Sequence, residues 1–116
     1  MSEEVENCKI KKIEKVDVEE YEYGSRILGV LGNKSRIAIL AAILKYKEVC
    51  ACELQPALGM PQPTITSHLR KMYNVGLLKR KEVWKFGYYF INPQYESLVS
   101  DILRNQQKHM RGEVHA

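Results

Sequence analysis

The chain lacks most of what an enzyme or an exported protein would need. Its 116 residues contain no Gly-rich phosphate loop, no C-x-x-C pair beside a βαβ pattern and no nucleophile–base–acid set. The expectation is therefore that it is not an enzyme, with a thiol oxidoreductase acting through Cys50 and Cys52 as the less favoured alternative. No apolar run approaches the ~20 residues that a bilayer span requires. The acidic first residues lack the apolar core of a secretory leader, so a cytoplasmic location without membrane contact is expected. Cysteine is scarce, three in all, and in a reducing compartment three thiols do not make a disulfide framework. Internal repeats and low-complexity tracts are also missing. A chain of this length holds one core and a tail, not two cores.

What is present is unevenly spread. The net charge is only +4, too small by itself to argue for nucleic acid. Between Pro61 and Phe90, however, Arg70, Lys71, Lys79, Arg80, Lys81 and Lys85 face a lone acid, Glu82. The first twenty residues instead carry seven acids and four lysines. A positive segment within a mixed chain is the footprint of a phosphate-binding face, although it also suits a plain solvated surface.

Periodicity divides the chain into a charged arm (1–18), a folded unit (19–107) and a flexible tail (108–116). In the arm, Ile10, Ile13, Val16 and Val18 are too irregularly spaced to assign. A first helix is expected over Glu19–Leu31, with Tyr23, Ile27, Val30 and Leu31 on one stripe. Asn33 suits the cap of a second helix, in which Ile37, Leu40, Ala41 and Leu44 fall at the spacing of a buried face. A short third helix over Ala51–Leu58 buries Leu54, Ala57 and Leu58 and stops at Gly59. Pro61 and Pro63 open a fourth helix, where missing amide hydrogens cost least, and it runs to about Asn74. Two short helices joined by a Gly-containing turn outline a helix-turn-helix. Beyond Gly76 the period becomes that of strands: Leu77–Trp84 and Tyr88–Asn92 flank Lys85-Phe86-Gly87 as a hairpin. Pro93 starts a last helix with Tyr95, Leu98, Val99, Ile102 and Leu103 at helical spacing. The fold class is thus mainly α with a β-hairpin.

On a wheel of the fourth helix, Ile65, Leu69 and Met72 cluster within about 60° and must face the core. Nearly opposite lie Pro63, Thr64, Ser67, Arg70 and Lys71, with Gln62 and Thr66 nearby and no carboxylate. Hydroxyls, an amide and two cations on one rigid ridge can donate to phosphates or read base edges in a major groove. The hairpin adds Lys79, Arg80, Lys81 and Lys85, with Lys79 and Lys81 on one side and Arg80 on the other. A hairpin of that charge suits contact with a DNA backbone. Its aromatic residues, Trp84, Phe86, Tyr88, Tyr89 and Phe90, are assigned to packing rather than to base stacking.

These segments together resemble one family. Leu31-Gly32-Asn33-Lys34-Ser35-Arg36-Ile37-Ala38-Ile39-Leu40 is similar to the start of the ArsR/SmtB winged helix regulators. Glu48-Val49-Cys50-Ala51-Cys52-Glu53-Leu54 resembles their cysteine-bearing metal box. Gln62-Pro63-Thr64-Ile65-Thr66-Ser67-His68-Leu69 resembles their recognition helix, and Tyr89-Phe90-Ile91-Asn92-Pro93 the end of their wing. The likeness spans about residues 22–104. It implies a winged helix-turn-helix and a transcriptional regulator, commonly a repressor released by metal or thiol chemistry. It also implies a homodimer formed by the first and last helices, with Ile27, Leu31, Leu98, Val99, Ile102 and Leu103 as the expected interface. Such a dimer meets a double-stranded operator of two-fold symmetry, its reading helices about 34 Å apart. There are departures. Pro61 replaces the serine that often begins the reading helix. The carboxylate–histidine ligand set of some relatives' last helix is unmatched, since Leu103 stands where histidine would follow Asp101, and His109 and His115 are misplaced.

The resemblance assigns Cys50 and Cys52 to a metal site, and Cys8 in the arm to the third thiolate that some relatives add, often from the other protomer. Two thiolates two positions apart can converge at a helix start, whereas mid-helix they diverge by about 200°. Three thiolates favour arsenite, cadmium or lead, and zinc would need a fourth ligand that no position supplies. No ion is expected to be required for folding. Reversible thiol oxidation is the alternative, with a disulfide from the pair to Cys8 or to the partner preferred over a Cys50–Cys52 ring. Cysteines without a sensory role, and a winged helix used only for protein contacts, also remain open. His68 is expected at a helix flank or on a phosphate, not as a ligand.

Overall fold

Helix α1 (Glu22–Leu31) begins later than its periodicity suggests, because a 3-10 turn over Val18–Tyr21 precedes it. Asp17 caps that turn by accepting from the Glu19 amide at 3.1 Å. The computed structural model describes residues 10–113, so the first half of the arm, with Cys8, and the end of the tail, with His115, lie outside the described residues. Asn33 then caps α2 (Lys34–Tyr46): its Oδ1 accepts from the Ser35 and Arg36 amides at 3.0 and 3.1 Å. The buried face of α2 is Ile39, Leu40 and Ile43, while Ala41 is exposed and Ile37 and Leu44 are half-buried. The buried stripe is thus rotated from the expected one. This helix is apolar around most of its circumference, so spacing alone does not select a face; packing against α1, β2 and the helices beyond does.

After α2 the chain turns at Lys47, and Val49 pairs with the wing in an antiparallel bridge to Tyr89, 3.0 and 2.8 Å. Helix α3 (Ala51–Leu58) starts at Cys50, whose amide donates to Glu53 Oε1 at 2.8 Å, and ends at Gly59 in the left-handed conformation. Only Leu54 is fully buried here; Ala57 is exposed and Leu58 half-buried, because so short a helix turns a narrow face inward. Helix α4 (Gln62–Asn74) follows, with the Pro61 carbonyl accepting from Thr64 and Ile65. Strands β1 (Leu78–Val83) and β2 (Phe86–Ile91) form an antiparallel hairpin in which Val83 pairs with Phe86. The turn is thus Trp84-Lys85, not Lys85-Phe86-Gly87. Trp84 takes the positive φ, so Phe86 and Gly87 pair as strand residues.

Asn92 ends the wing, donating to the Gly76 carbonyl at 2.8 Å, and caps a 3-10 turn (Pro93–Tyr95) that leads into α5 (Glu96–Met110). The last helix therefore extends past Lys108. Ile65, Leu69, Met72 and Leu77 are wholly excluded from solvent, and Ile27, Leu31, Ile39, Leu40, Ile43, Leu54 and Val99 close around them. This aliphatic floor rests beneath α4 and fixes which of its side chains look outward. Among the described residues no single helix is long and apolar enough to cross a membrane.

Candidate nucleic-acid interface

The outward face of α4 follows directly from its inward one. Because Ile65, Leu69 and Met72 are locked in the core, Gln62, Pro63, Thr64, Ser67, Arg70 and Lys71 are exposed, and Thr66 is half-buried. Among the described residues, neither Arg70 nor Lys71 takes part in an ion pair. The ridge thus offers donors and two unneutralised cations on a helix with no acid of its own, a chemistry suited to phosphates and base edges.

The register of α4 is held at its middle and at its C-terminal end. His68 Nδ1 accepts from Arg36 Nε at 3.2 Å, and Arg36 Nη1 also donates to the Val30 carbonyl at 3.0 Å. His68 is thus a helix–helix contact. Partial burial, then the Arg36 and Lys71 charges, push its imidazole below its ordinary range and favour the neutral form that can accept from Arg36. At the far end, Tyr23 Oη donates to the Val75 carbonyl at 3.1 Å and is in short contact with Tyr95 Oη. These long-range contacts escaped sequence reasoning because no local pattern announces them. The Glu53 cap could have been found, since an acid three residues after a helix start is a capping signal.

The hairpin differs. Lys79 and Lys85 are exposed, but Arg80 pairs with Glu82 at 3.1 Å and Lys81 with Glu48 at 2.6 Å. Arg80 also lies across Tyr89 and over Gly87, where any side chain would collide with its guanidinium. The assignment of the aromatic residues to packing holds only in part. Tyr88, Tyr89 and Phe90 are half-buried, and Tyr89 meets Tyr73 edge-on at 6.4 Å, yet Trp84 is 92% and Phe86 52% exposed. A two-residue turn projects them beyond the core's reach.

Cys50 and Cys52 do converge. Cys50 has extended angles (φ −102°, ψ 160°) as the residue before α3, their Cα atoms are 5.4 Å apart, and the two sulfurs are joined as a disulfide. This corrects the preference for a bridge to Cys8 or to a partner: the extended cap swings the two Cβ atoms together instead of apart. Cys50 is buried and Cys52 exposed. Among the described residues no group of three or more His, Cys, Asp or Glu side chains is placed to hold a metal ion. The pair shares a cleft of about 280 Å³ with Gln62 and Thr66 of the reading helix and Arg80 and Lys85 of the wing.

Of the residues expected at a dimer interface, Ile27, Leu31 and Val99 are spent on the protomer's own core. Leu98 is exposed, and Ile102 and Leu103 are half-buried. On α1, Leu28 is 64% exposed, next along the chain to the buried Ile27.

Residues 33–80 match the family model described as bacterial regulatory protein, arsR family. An uncharacterised HTH-type transcriptional regulator of Methanocaldococcus jannaschii is 32% identical over 84 residues, which are 71% of this chain and 93% of that protein. An arsenic resistance transcriptional regulator of Pseudomonas putida is 32% identical over 74 residues, 64% of each chain. Among solved structures, the homodimeric winged helix-turn-helix DNA-binding domain of a possible ArsR-family regulator from Mycobacterium bovis superposes with a TM-score of 0.74. That match is 19% identical and covers 90% of this chain and 99% of the other.

Proposed function

Since the chain belongs to the ArsR family of bacterial regulatory proteins, and is thus a winged helix-turn-helix DNA-binding transcriptional regulator and not an enzyme, we propose that it is a cytoplasmic repressor that reads its operator through α4. The observation that carries this is the exposure of Arg70 and Lys71 beside Thr64 and Ser67, on a helix whose opposite face is completely buried. Gln62, Pro63 and Thr66 complete the reading surface, and Lys79, Arg80, Lys81 and Lys85 contact the flanking backbone. In a gel-shift titration, Arg70→Ala is expected to weaken operator binding about tenfold or more. Unchanged affinity would remove α4 from the interface.

The working unit in this proposal is a homodimer on a two-fold operator, by analogy with the homodimeric Mycobacterium bovis domain. Its contact uses the apolar residues that the protomer leaves open on the first and last helices, Leu28, Leu98, Ile102 and Leu103, and not those buried at home. Of the charged arm, the described residues 10–18 are exposed and stand outside the core.

Release from the operator is assigned to Cys50 and Cys52, with Cys8 as a third thiolate. The convergence of the pair and the arsenic resistance role named for the Pseudomonas putida relative both favour a thiophilic ion. Arsenite, cadmium and lead suit such sulfur donors, and zinc less well for want of a fourth ligand. When bound, the ion would supply a crosslink at the start of α3. A double Cys50→Ser/Cys52→Ser variant is expected to stay on DNA when arsenite is added, while the parent releases. The Cys50–Cys52 disulfide favours a second reading, thiol-redox control, in which oxidation itself sets the operator affinity. An oxidant titration of metal-free protein, following thiol count and release together, separates the two.

A further inference from the structure

The tip of the wing carries an unexplained group. Trp84, the only tryptophan of the chain, is 92% exposed and stands between Val83 and Phe86, 40% and 52% exposed. Three neighbouring apolar side chains exposed together at the tip of a hairpin are unusual. The backbone makes the choice more pointed. Trp84 is the first of two turn residues and has φ 60°, while Lys85 is not in the positive-φ region. Hairpin turns of that kind strongly favour glycine at this first position, and a bulky residue there costs free energy that nothing in the wing's own packing returns.

The tip also lies on the reading side of the molecule. Lys85 and Phe86 line the same cleft as Gln62 and Thr66, at the start of α4. A duplex seated on α4 therefore passes the hairpin end, where Lys79 and Lys85 are exposed and complement its phosphates. Resting on the reading of α4 given above, we propose that Trp84 is a further DNA-contacting residue. Its indole enters the minor groove beside the major groove read by α4 and wedges against a base step, with Lys85 on the adjoining phosphates. Apolar wedges of this kind partly unstack the step and bend the duplex, which makes flexible pyrimidine–purine steps the preferred flank.

The test uses the full-length protein and a duplex of about three helical turns that the wild type enriches from a randomised pool. Because Trp84 is the sole indole, its emission reports on the tip directly. Saturating duplex is expected to quench it and to lower its acrylamide accessibility severalfold. Trp84→Gly separates DNA contact from architecture: glycine relieves the positive φ, so thermal stability holds or rises, while duplex affinity falls about tenfold, the scale of removing one aromatic–base stack. Trp84→Phe should restore most of that affinity. The slope of log affinity against log salt stays at the wild-type value in both variants, since no charge is removed, whereas Lys85→Ala lowers it by about one. Bound duplex with unchanged indole emission and accessibility, or a Trp84→Gly variant that binds within about twofold of wild type, overturns the wing-tip role and leaves α4 intact. A wild type that enriches no duplex overturns the α4 reading and this role with it.

Discussion

Helix α4 carries two basic residues and the hairpin four, yet the two present them differently in space. On α4, Arg70 and Lys71 are exposed and, among the described residues, free of ion pairs; on the hairpin, Arg80 and Lys81 are held by Glu82 and Glu48. Charge counted along a chain is therefore not charge offered to a phosphate. The rigid ridge is ready to bind as it stands, while on the wing Arg80 and Lys81 must first exchange two carboxylates for the DNA backbone. The difference also suits two tasks: a helix anchored by buried aliphatics holds fixed geometry for reading, and a hairpin with exchangeable partners adds affinity.

The harshest way to break this contrast is to remove the anchor. Leu69→Ala deletes a wholly buried side chain beneath the reading face and is expected to cost about 2–5 kcal/mol of stability, read as a lowered urea midpoint. Neutralising the wing's internal partners is gentler and has the opposite sign on binding. Glu48→Gln and Glu82→Gln free Lys81 and Arg80, so duplex affinity is expected to rise a few-fold at low salt. Stability should change by less than about 1 kcal/mol, because both pairs are exposed. Equal affinity in these variants would mean that the wing cations do not reach the backbone.

The smallest effect concerns pH. The folded protein holds His68 below its ordinary range, so it binds fewer protons there than the unfolded chain does. The stability this provides is complete above the unfolded value of about 6.5 and declines as pH falls through it toward the folded value. Urea midpoints should therefore drop on acidification from neutral pH. His68→Gln, which keeps an acceptor for Arg36, should flatten that part of the profile.

How much of this was legible depended on whether the deciding interaction was local. The α4 core positions Ile65, Leu69 and Met72, the Asn33 cap and the α3 boundaries could be read because spacing and capping act within a turn or two. The face of α2 could not: Ile37, Ile39, Leu40, Ile43 and Leu44 wrap the helix, and only its neighbours choose among them. Gly87 invites a turn at Lys85-Phe86-Gly87, whereas the chain bends at Trp84 and keeps Gly87 to make room for Arg80. Likewise the apolar stripes of the first and last helices mixed two purposes, with Ile27, Leu31 and Val99 serving the core and Leu98 left outside. A pattern of apolar residues does not say whether they meet their own protomer or another. The bond between Cys50 and Cys52 depended on the extended backbone of one capping residue, a detail that spacing permits but does not select.

The central claim, that α4 meets DNA through Arg70 and Lys71, is tested most directly by the salt dependence of duplex binding. Each phosphate that a variant no longer neutralises should reduce the slope of log affinity against log salt by about 0.9. For an Arg70→Gln/Lys71→Gln variant that folds normally, the expected result is weaker binding with a slope shallower by nearly two. Wild-type affinity with an unchanged slope would contradict the account.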